Sequence, residues 1–292
     1  LGVRFSDQKD DLDASKSYLE LSNREKTLLD KVTSTFDKVI LVVNSANAME
    51  LGFVKDYSQI KSVLYCPGTG QTGFDGLGEI IAGKINPSGK TADIFLADLM
   101  NTPTSNNFGD FDYTNMSEFG VDNMFAEGGK AFPTFVNYVE GIYVGYKYYE
   151  TAAVEAAAGN YEFDYDANVV YPFGYGLSYT TFTQEMGEIN NDGTNISFDV
   201  TVTNTGNVAG KDVVEVYFNP PYTNGGIEKA AANLVAFEKT ETLEPGASAT
   251  VSISFPVEDM ASYDTYGHGC YVLESGDYEI SINSDSHNKI AA

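Results

Sequence analysis

The chain has 292 residues, of which 17 are Lys or Arg and 42 are Asp or Glu, so its formal net charge is −25 at pH 7. Hydrophobic residues make up 42% and aromatic residues 13% of the chain, enough for a packed core, which excludes a disordered protein. The length predicts two domains, and the acidic balance argues against nucleic-acid or membrane-surface partners because both are anionic.

Other classes are excluded by what the sequence lacks. Its most continuous apolar stretch, Val39–Val43, is far shorter than the ~18 residues of a membrane span. Two cysteines, Cys66 and Cys270, and two histidines are too few for a disulfide scaffold or a His/Cys metal cluster, so we expect no cofactor and no metal. The N-terminus has no initiator Met and no signal-peptide pattern, so we expect the chain to begin inside a longer gene product, either cytoplasmic or secreted.

The first half of the chain alternates helix-like and strand-like segments. Ser22 and Glu25 form a capping-box pattern at the start of a predicted helix whose apolar residues recur as one stripe. Val39–Val43 is apolar at every position, which predicts a parallel strand buried on both faces. The full set of predicted elements is helices within residues 19–36, 50–57 and 74–82 and strands at residues 39–43, 62–65 and 91–95. Such alternation predicts an α/β sandwich, a mostly parallel sheet flanked by helices.

Residues 67–73 connect a predicted strand to a predicted helix. Gly68, Gly70 and Gly73 match the G-x-G-x-x-G spacing of phosphate-binding loops. However, Pro67 removes a donor N–H and no Gly-Lys-Ser/Thr follows, so a tight strand-to-helix loop is favoured over dinucleotide binding.

An acidic run at residues 7–13 invites a calcium-binding interpretation. It fails because Leu12 and Tyr18 stand where an EF-hand loop requires Gly and Glu. A solvated acidic run, or a loop that presents one acid, remains. Neither histidine lies in the first half, so a Ser-His-Asp arrangement is excluded there.

The segment from residue 101 to 138 has no clear periodicity and is rich in Asn, Gly, Phe, Asp and Thr. Long loops of this kind are usually functional or mobile. Aromatic and short polar residues alternate over residues 107–113, which suits sugar binding, because rings stack on apolar C–H faces and amides or carboxylates bind hydroxyls. Asn107, Asp110 and Phe111 are therefore candidate substrate-binding residues. The alternative is a loop that packs its own aromatic rings over the sheet edge.

From about residue 187 the pattern changes to strict alternation of apolar and polar residues. Strands are predicted at residues 196–202, 213–218, 249–255 and 278–282, with turn signals between them. The pattern predicts an all-β sandwich of about 110 residues. The domains are accordingly placed at residues 1–182 and 183–292.

Four longer motifs are more specific. Residues 140–150 and 171–182 resemble the domain junction of glycoside hydrolase family 3, which contains β-glucosidases and β-xylosidases. Residues 85–90 resemble the N-P-S-G-K turn of that family, and residues 200–217 are similar to its fibronectin type III-like domain. The similarity runs over nearly the whole chain.

The resemblance implies an enzyme of three parts, of which this chain holds an α/β sandwich and an all-β fibronectin type III-like sandwich. The nucleophile of the family is an Asp in a TIM-barrel domain, and 292 residues leave no room for a barrel of ~250. A barrel in the same gene product or in a second chain is therefore the expected partner. The implied substrate is a β-linked glycoside or oligosaccharide.

The resemblance also implies a Glu acid/base before the first sandwich helix. Counting back from Tyr18 without gaps puts Asp7 at that position, and a shift of one residue puts Gln8 there. Asp7 is the candidate catalytic residue, although its side chain is one methylene shorter. Retaining glycosidases need two carboxyl groups ~5–5.5 Å apart, so the chain supplies at best one of them.

Two functions therefore compete. The first is a part of a retaining β-glycosidase that completes its site together with a barrel. The second is a non-catalytic carbohydrate-binding or scaffolding module that has lost its acid.

Overall fold

The computed structural model describes residues 19–46, 48–107, 111–122 and 129–292. The α-helices in these ranges are α1 (Asn23–Thr33), α2 (Gly73–Ile81), α3 (Pro103–Asn107), α4 (Tyr146–Ala157) and α5 (Tyr165–Asn168). The strands of the first half are β1 (Val39–Val43), β2 (Ile60–Tyr65), β3 (Phe95–Leu96), β4 (Phe111–Asp112), β5 (Val121–Asp122), β6 (Lys130–Ala131), β7 (Thr134–Phe135) and β8 (Val169–Tyr171). The strands of the second half are β9 (Phe182–Met186), β10 (Asn190–Asn191), β11 (Asn195–Asn204), β12 (Val213–Asn219), β13 (Asn233–Lys239), β14 (Ser248–Pro256), β15 (Ser262–Tyr263), β16 (Tyr271–Val272), β17 (Glu279–Asn283) and β18 (Lys289–Ala291).

Helix α1 begins with the predicted capping box. The Ser22 backbone N–H donates to Glu25 Oε2 over 2.8 Å, and the Glu25 N–H donates to Ser22 Oγ over 3.3 Å, so two of the unpaired helix-end donors are satisfied. The predicted single apolar stripe is wrong in part. Leu29 is buried, whereas Leu28 and Phe36 are 62% and 59% exposed. Leu28 lies one helical step from the buried face, and Phe36 follows the end of the helix.

Strands β1 and β2 confirm both predicted strands and pair in parallel, with Val42 opposite Leu64. The prediction that β1 is buried on both faces is wrong. Leu41 and Val43 join a core with α1, but Ile40 is 50% exposed. The core residues lie on one side of the strand, and in the described part of the chain its other face stays open.

The rest of the predicted parallel sheet does not appear among the described residues. The strand predicted at residues 91–95 is reduced to β3, which pairs antiparallel with β8. The segment 50–57 forms a 3₁₀-helix, Gly52–Asp56, close to the predicted helix. What the structure supports is an α/β first half with one parallel strand pair.

The segment from residue 101 to 138 contains short elements instead of a continuous loop. Helix α3 is followed by two antiparallel pairs, β4 with β7 and β5 with β6. Each of these strands is two residues long, too short to produce the alternation by which strands are recognised in a sequence.

The second half is a two-sheet β-sandwich. One sheet has the order β10-β11-β14 with β9 also paired to β11, and the other has the order β13-β12-β17-β18. All four strands predicted in this half are present, as β11, β12, β14 and β17. Their alternating apolar side chains form one core between the sheets, as expected for two layers packed face to face.

Strand β12 is buried on both faces. Val214 and Val216 belong to the sandwich core, while Glu215 and Tyr217 on the other face are only 3% and 2% exposed. Tyr146 of α4 meets the Tyr217 ring edge-on, with ring centroids 6.2 Å apart. The outer face of this sheet therefore forms the junction with the first half.

The N-P-S-G-K turn holds the same junction. Asn86 Oδ1 accepts the Tyr179 N–H over 2.7 Å, and Asn86 Nδ2 donates to the Ala209 carbonyl over 3.0 Å. Lys90 Nζ donates to the Ser284 carbonyl over 2.8 Å. This turn thus connects residues of both halves.

A third group of contacts centres on Glu150 of α4, which is 5% exposed. Its carboxylate accepts hydrogen bonds from Tyr165 Oη over 2.7 Å and from Ser286 Oγ over 2.8 Å. His287 Nδ1 lies 2.8 Å from Glu150 Oε2, and the His287 ring stacks on Tyr165. A buried carboxylate of the first half is thus paired from the C-terminal end of the second.

Candidate functional site

The carboxyl ends of β1 and β2 meet at one edge of the first half. Asn44 and Ser45 follow β1, and Cys66 follows β2. Asn44 Nδ2 donates to the Cys66 carbonyl over 2.7 Å, and Ser45 is fully buried. Ligands of open α/β sheets bind at this edge because side chains from neighbouring strands converge there.

Glu50 is a carboxylic acid of this region whose pKa is shifted. Its N–H donates to the Leu19 carbonyl over 3.2 Å, and its Oε1 accepts the Leu99 N–H over 2.9 Å. Burial raises the pKa of the Glu50 carboxyl; the Leu99 N–H lowers it, and the charges of Glu20 and Asp98 raise it. A carboxyl group whose pKa is raised is the kind that serves as a general acid.

Three aromatic rings form a cluster beside the paired strands β4 and β7, here called the aromatic cluster: Phe111, Tyr113 and Phe135. Phe111 pairs with Phe135 across the strands, with ring centroids 5.6 Å apart, and Tyr113 lies 4.9 Å from Phe135. All three rings are partly exposed, at 40%, 46% and 38%. Exposed rings held by a strand pair can stack on the apolar face of a sugar.

The residues predicted from the sequence are only partly brought together. Asp7 and Asp110 lie outside the described residues. Asn107 is the last residue of α3, and its side chain is not among those that the structure describes. Phe111 lies in the aromatic cluster. The rings of this cluster pack on one another; the alternative, that the segment packs its rings over the sheet edge, stays a prediction.

Sequence reasoning did not name Tyr113, Phe135 or Glu50 individually as candidate site residues. Tyr113 lies at the end of the motif that was singled out, and Phe135 is brought to it only by the pairing of β4 with β7. Glu50 follows β1 by a few residues, and the rule that functional side chains gather after the carboxyl ends of parallel strands points to it. Among the described residues, no group of three or more His, Cys, Asp or Glu side chains is arranged to hold a metal ion.

Comparison with known families identifies both halves. The profile of the glycosyl hydrolase family 3 C-terminal domain matches residues 3–146, and the profile of the fibronectin type III-like domain matches residues 212–286. These are the two types of domain that the sequence motifs predicted.

Whole-chain relatives are β-glucosidases. The chain is 35% identical to β-glucosidase A of Butyrivibrio fibrisolvens over 90% of its own length and 33% identical to a β-glucosidase of Ruminococcus albus over 98%. It covers 30% and 26% of these two proteins. The chain thus spans less than a third of the length of the curated relatives it matches.

Solved structures give the same result. A β-glucosidase of Paenibacillus barengoltzii superposes with a TM-score of 0.77 at 31% identity, over 94% of this chain and 27% of that protein. β-Glucosidase 3B of Thermotoga neapolitana in complex with glucose superposes with a TM-score of 0.75 at 31% identity, over 96% of this chain and 34% of that protein. No helix among the described residues has both the length and the apolar character to cross a membrane.

Proposed function

This chain carries the C-terminal domain of glycosyl hydrolase family 3 followed by a fibronectin type III-like domain, and we propose that it is part of a retaining β-glucosidase. The observation that carries the proposal is the extent of the similarity, since both domains and the junction between them match β-glucosidases over nearly the whole chain. The substrate is a β-linked glucoside or oligosaccharide. The nucleophile is supplied by a TIM-barrel domain of the same gene product or of a second chain.

In this mechanism the chain provides the acid/base. A carboxylic acid protonates the leaving oxygen while the barrel carboxylate attacks the anomeric carbon and forms a covalent glycosyl-enzyme. The same group, now a carboxylate, takes a proton from the water that hydrolyses the intermediate. Asp7 is proposed for this role, and Glu50 is the second candidate because burial raises the pKa of its carboxyl. The aromatic cluster is proposed to stack on the sugar or its aglycone.

The first test is reassembly. The chain alone should release no aryl alcohol from an aryl β-glucoside, because the chemistry needs two carboxyl groups. Addition of the barrel domain should restore release. If the chain alone hydrolyses the substrate above the level of a preparation without it, the division of the site between two domains is wrong.

The second test identifies the acid in the reassembled enzyme. Asp7→Asn should reduce kcat for an alkyl β-glucoside by about 100-fold or more and affect an activated aryl β-glucoside far less, because only the poor leaving group needs a proton in the transition state. Glu244→Gln, at an exposed position of the second half, is the matched control and should leave both substrates unchanged. Equal small effects of Asp7→Asn on both substrates would exclude Asp7. Its neighbours Asp10 and Asp11, and then Glu50→Gln, would be measured in the same way.

The alternative is a non-catalytic carbohydrate-binding module, which the exposed rings of the aromatic cluster favour. Binding of a β-glucoside by the chain, together with failure of any barrel to restore hydrolysis, would support that alternative.

A further inference from the structure

A cleft of about 840 Å³ opens at the junction of the two halves. One wall is formed by α4 and the residues around it, and the other by the segment after β12. This volume lies within the range of small-molecule sites. Its lining is rich in tyrosine rings and amides: Tyr143, Tyr148, Tyr161, Tyr222, Asn160, Asn219 and Asn224.

The walls are held in place by contacts between the halves. Tyr143 Oη donates to Glu228 Oε2 over 2.5 Å, and the Ala231 N–H donates to Thr151 Oγ1 of α4 over 3.0 Å. Within the second half, Lys229, whose side chain is 2% exposed, forms an ion pair with Glu274. The cleft is therefore preformed, and a ligand would not have to order it.

The carboxylates of the lining bear on the ligand's charge. Glu140 and Glu155 line the cleft and repel an anionic ligand. The Lys229 ammonium is already paired with Glu274 and offers an anion little attraction. A neutral ligand that offers many hydroxyl groups suits the amides and tyrosine hydroxyls better. Tyr143 already donates its single hydroxyl proton to Glu228, so its oxygen can only accept a hydrogen bond from a ligand. Burial raises the pKa of Tyr148 to about 12, so that phenol stays protonated at neutral pH.

Glu140 supplies the observation that points to a ligand. It lines the cleft, and its Oε2 is buried with no hydrogen-bond partner among the described residues. A buried carboxylate oxygen without a donor is unfavourable, and such groups in native proteins call for an explanation. A hydroxyl group of a ligand in the cleft would provide the missing donor.

We propose that this junction cleft binds a neutral saccharide. Glu140 accepts hydrogen bonds from its hydroxyl groups, and the rings of Tyr161 and Tyr222, which are 50% and 44% exposed, pack against its C–H faces. The proposal goes beyond the proposed function, because it concerns binding by this chain alone and needs neither a barrel domain nor Asp7.

The test is titration of the full 292-residue chain with cellotetraose and with laminaritetraose, with binding measured by calorimetry and by NMR. Tyr222→Ala and Glu140→Gln should each weaken binding about tenfold, through the loss of ring stacking and of a charge-assisted hydrogen bond. Tyr266→Ala is the matched control, since Tyr266 is 94% exposed and lies outside the cleft. Melting temperatures measured on the same samples show that each variant is folded.

Three outcomes would overturn the proposal. The first is absence of binding of both tetrasaccharides at about 10 mM. The second is binding that Tyr222→Ala and Glu140→Gln leave unchanged while Phe135→Ala abolishes it, which would place the saccharide on the aromatic cluster. The third is displacement of bound tetrasaccharide by spermidine, which would make the cleft a cation site. Because no hydrolysis is measured, failure here is distinct from failure of the reassembly experiment.

Discussion

Glu215 and His287 lie at the junction, and the shifted pKa of each makes the stability of the folded chain depend on pH. Burial raises the pKa of Glu215 to about 7, against the opposing effects of Lys90 at 4.0 Å and of the Tyr217 hydroxyl at 2.9 Å. The hydrogen bond to Glu150 raises the pKa of His287. Both residues therefore bind protons more tightly in the folded chain than in the unfolded chain.

The sign of the resulting pH dependence is the same for both. Where the folded state holds more protons, stability falls as pH rises. For Glu215 the loss runs from its ordinary pKa of 4.5 to about 7, which amounts to at most about 3 kcal/mol. For His287 the stabilisation is complete below 6.5 and is lost as pH rises through the raised pKa.

Urea unfolding at pH 5, 6, 7 and 8 is therefore expected to show falling stability of the chain. Glu215→Gln should remove most of the slope between pH 5 and 7, because the amide does not titrate. Glu238→Gln on neighbouring strand β13, where the side chain is exposed, is the control and should keep the slope. An unchanged slope in Glu215→Gln would show that the carboxyl is already charged at pH 5 in the folded chain.

At the scale of elements, the turn at residues 172–179 depends on one close approach. A Cβ at Gly176 would lie 2.1 Å from the Gly89 carbonyl oxygen, so the N-P-S-G-K turn and this turn touch through their backbones. The Thr91 N–H donates to the Tyr175 carbonyl over 2.8 Å beside that contact.

Gly176→Ala should therefore separate the two turns and destabilise the chain by about 2 kcal/mol or more. Gly78→Ala is the matched control, because that position lies in α2 and a Cβ there meets nothing within 4 Å. The control should be neutral or stabilising by about 0.5–1 kcal/mol. The measurement is the urea midpoint of unfolding of each variant, which should be lower for Gly176→Ala than for Gly78→Ala. Equal midpoints would mean that the two turns can separate without cost.

Elements whose apolar residues recur at a regular spacing, or which begin with a capping motif, were predictable from the sequence. The capping box of α1, the apolar run of β1 and the alternation in β11 and β14 each signal their structure without help from the rest of the chain. Strand β13 was missed because its exposed polar end weakens the alternation, and β9 was missed because it falls on the expected boundary between domains. The pairs β4–β7 and β5–β6 are too short to show a period, and only tertiary contacts define them.

At the scale of the whole molecule, the most specific motifs serve the junction between domains. Asn86 and Lys90 of the N-P-S-G-K turn, and Tyr146 and Glu150 of α4, all contact the second half. These motifs identify the family. They do not reveal which carboxyl group would act on a substrate, because in the proposed enzyme that group is defined by its distance from a second carboxyl outside this chain. Glu140 likewise has no sequence signal, since the burial of its Oε2 atom depends on tertiary packing.

The net charge of −25 acts on the molecule as a whole. Like charges on a folded surface repel one another, and unfolding relieves that repulsion by moving them apart. The repulsion is screened by salt, because the Debye length falls from about 30 Å at 0.01 M to about 10 Å at 0.1 M. The ion pair between Lys229 and Glu274 is screened much less, because the Lys229 side chain is only 2% exposed.

We therefore expect the urea midpoint at pH 7.5 to rise between about 0.01 M and about 0.1 M NaCl. The control is the same pair of salt concentrations near pH 4.2, the isoelectric point of the sequence, where the net charge vanishes and salt should have little effect. A midpoint that falls with salt at pH 7.5 would mean that exposed ion pairs such as Lys130 with Asp122 stabilise the chain more than the overall repulsion destabilises it. A urea midpoint that rises with salt at pH 7.5 but not at pH 4.2 would show that net charge causes the salt dependence. The same net negative charge makes a neutral ligand easier to bind than an anionic one.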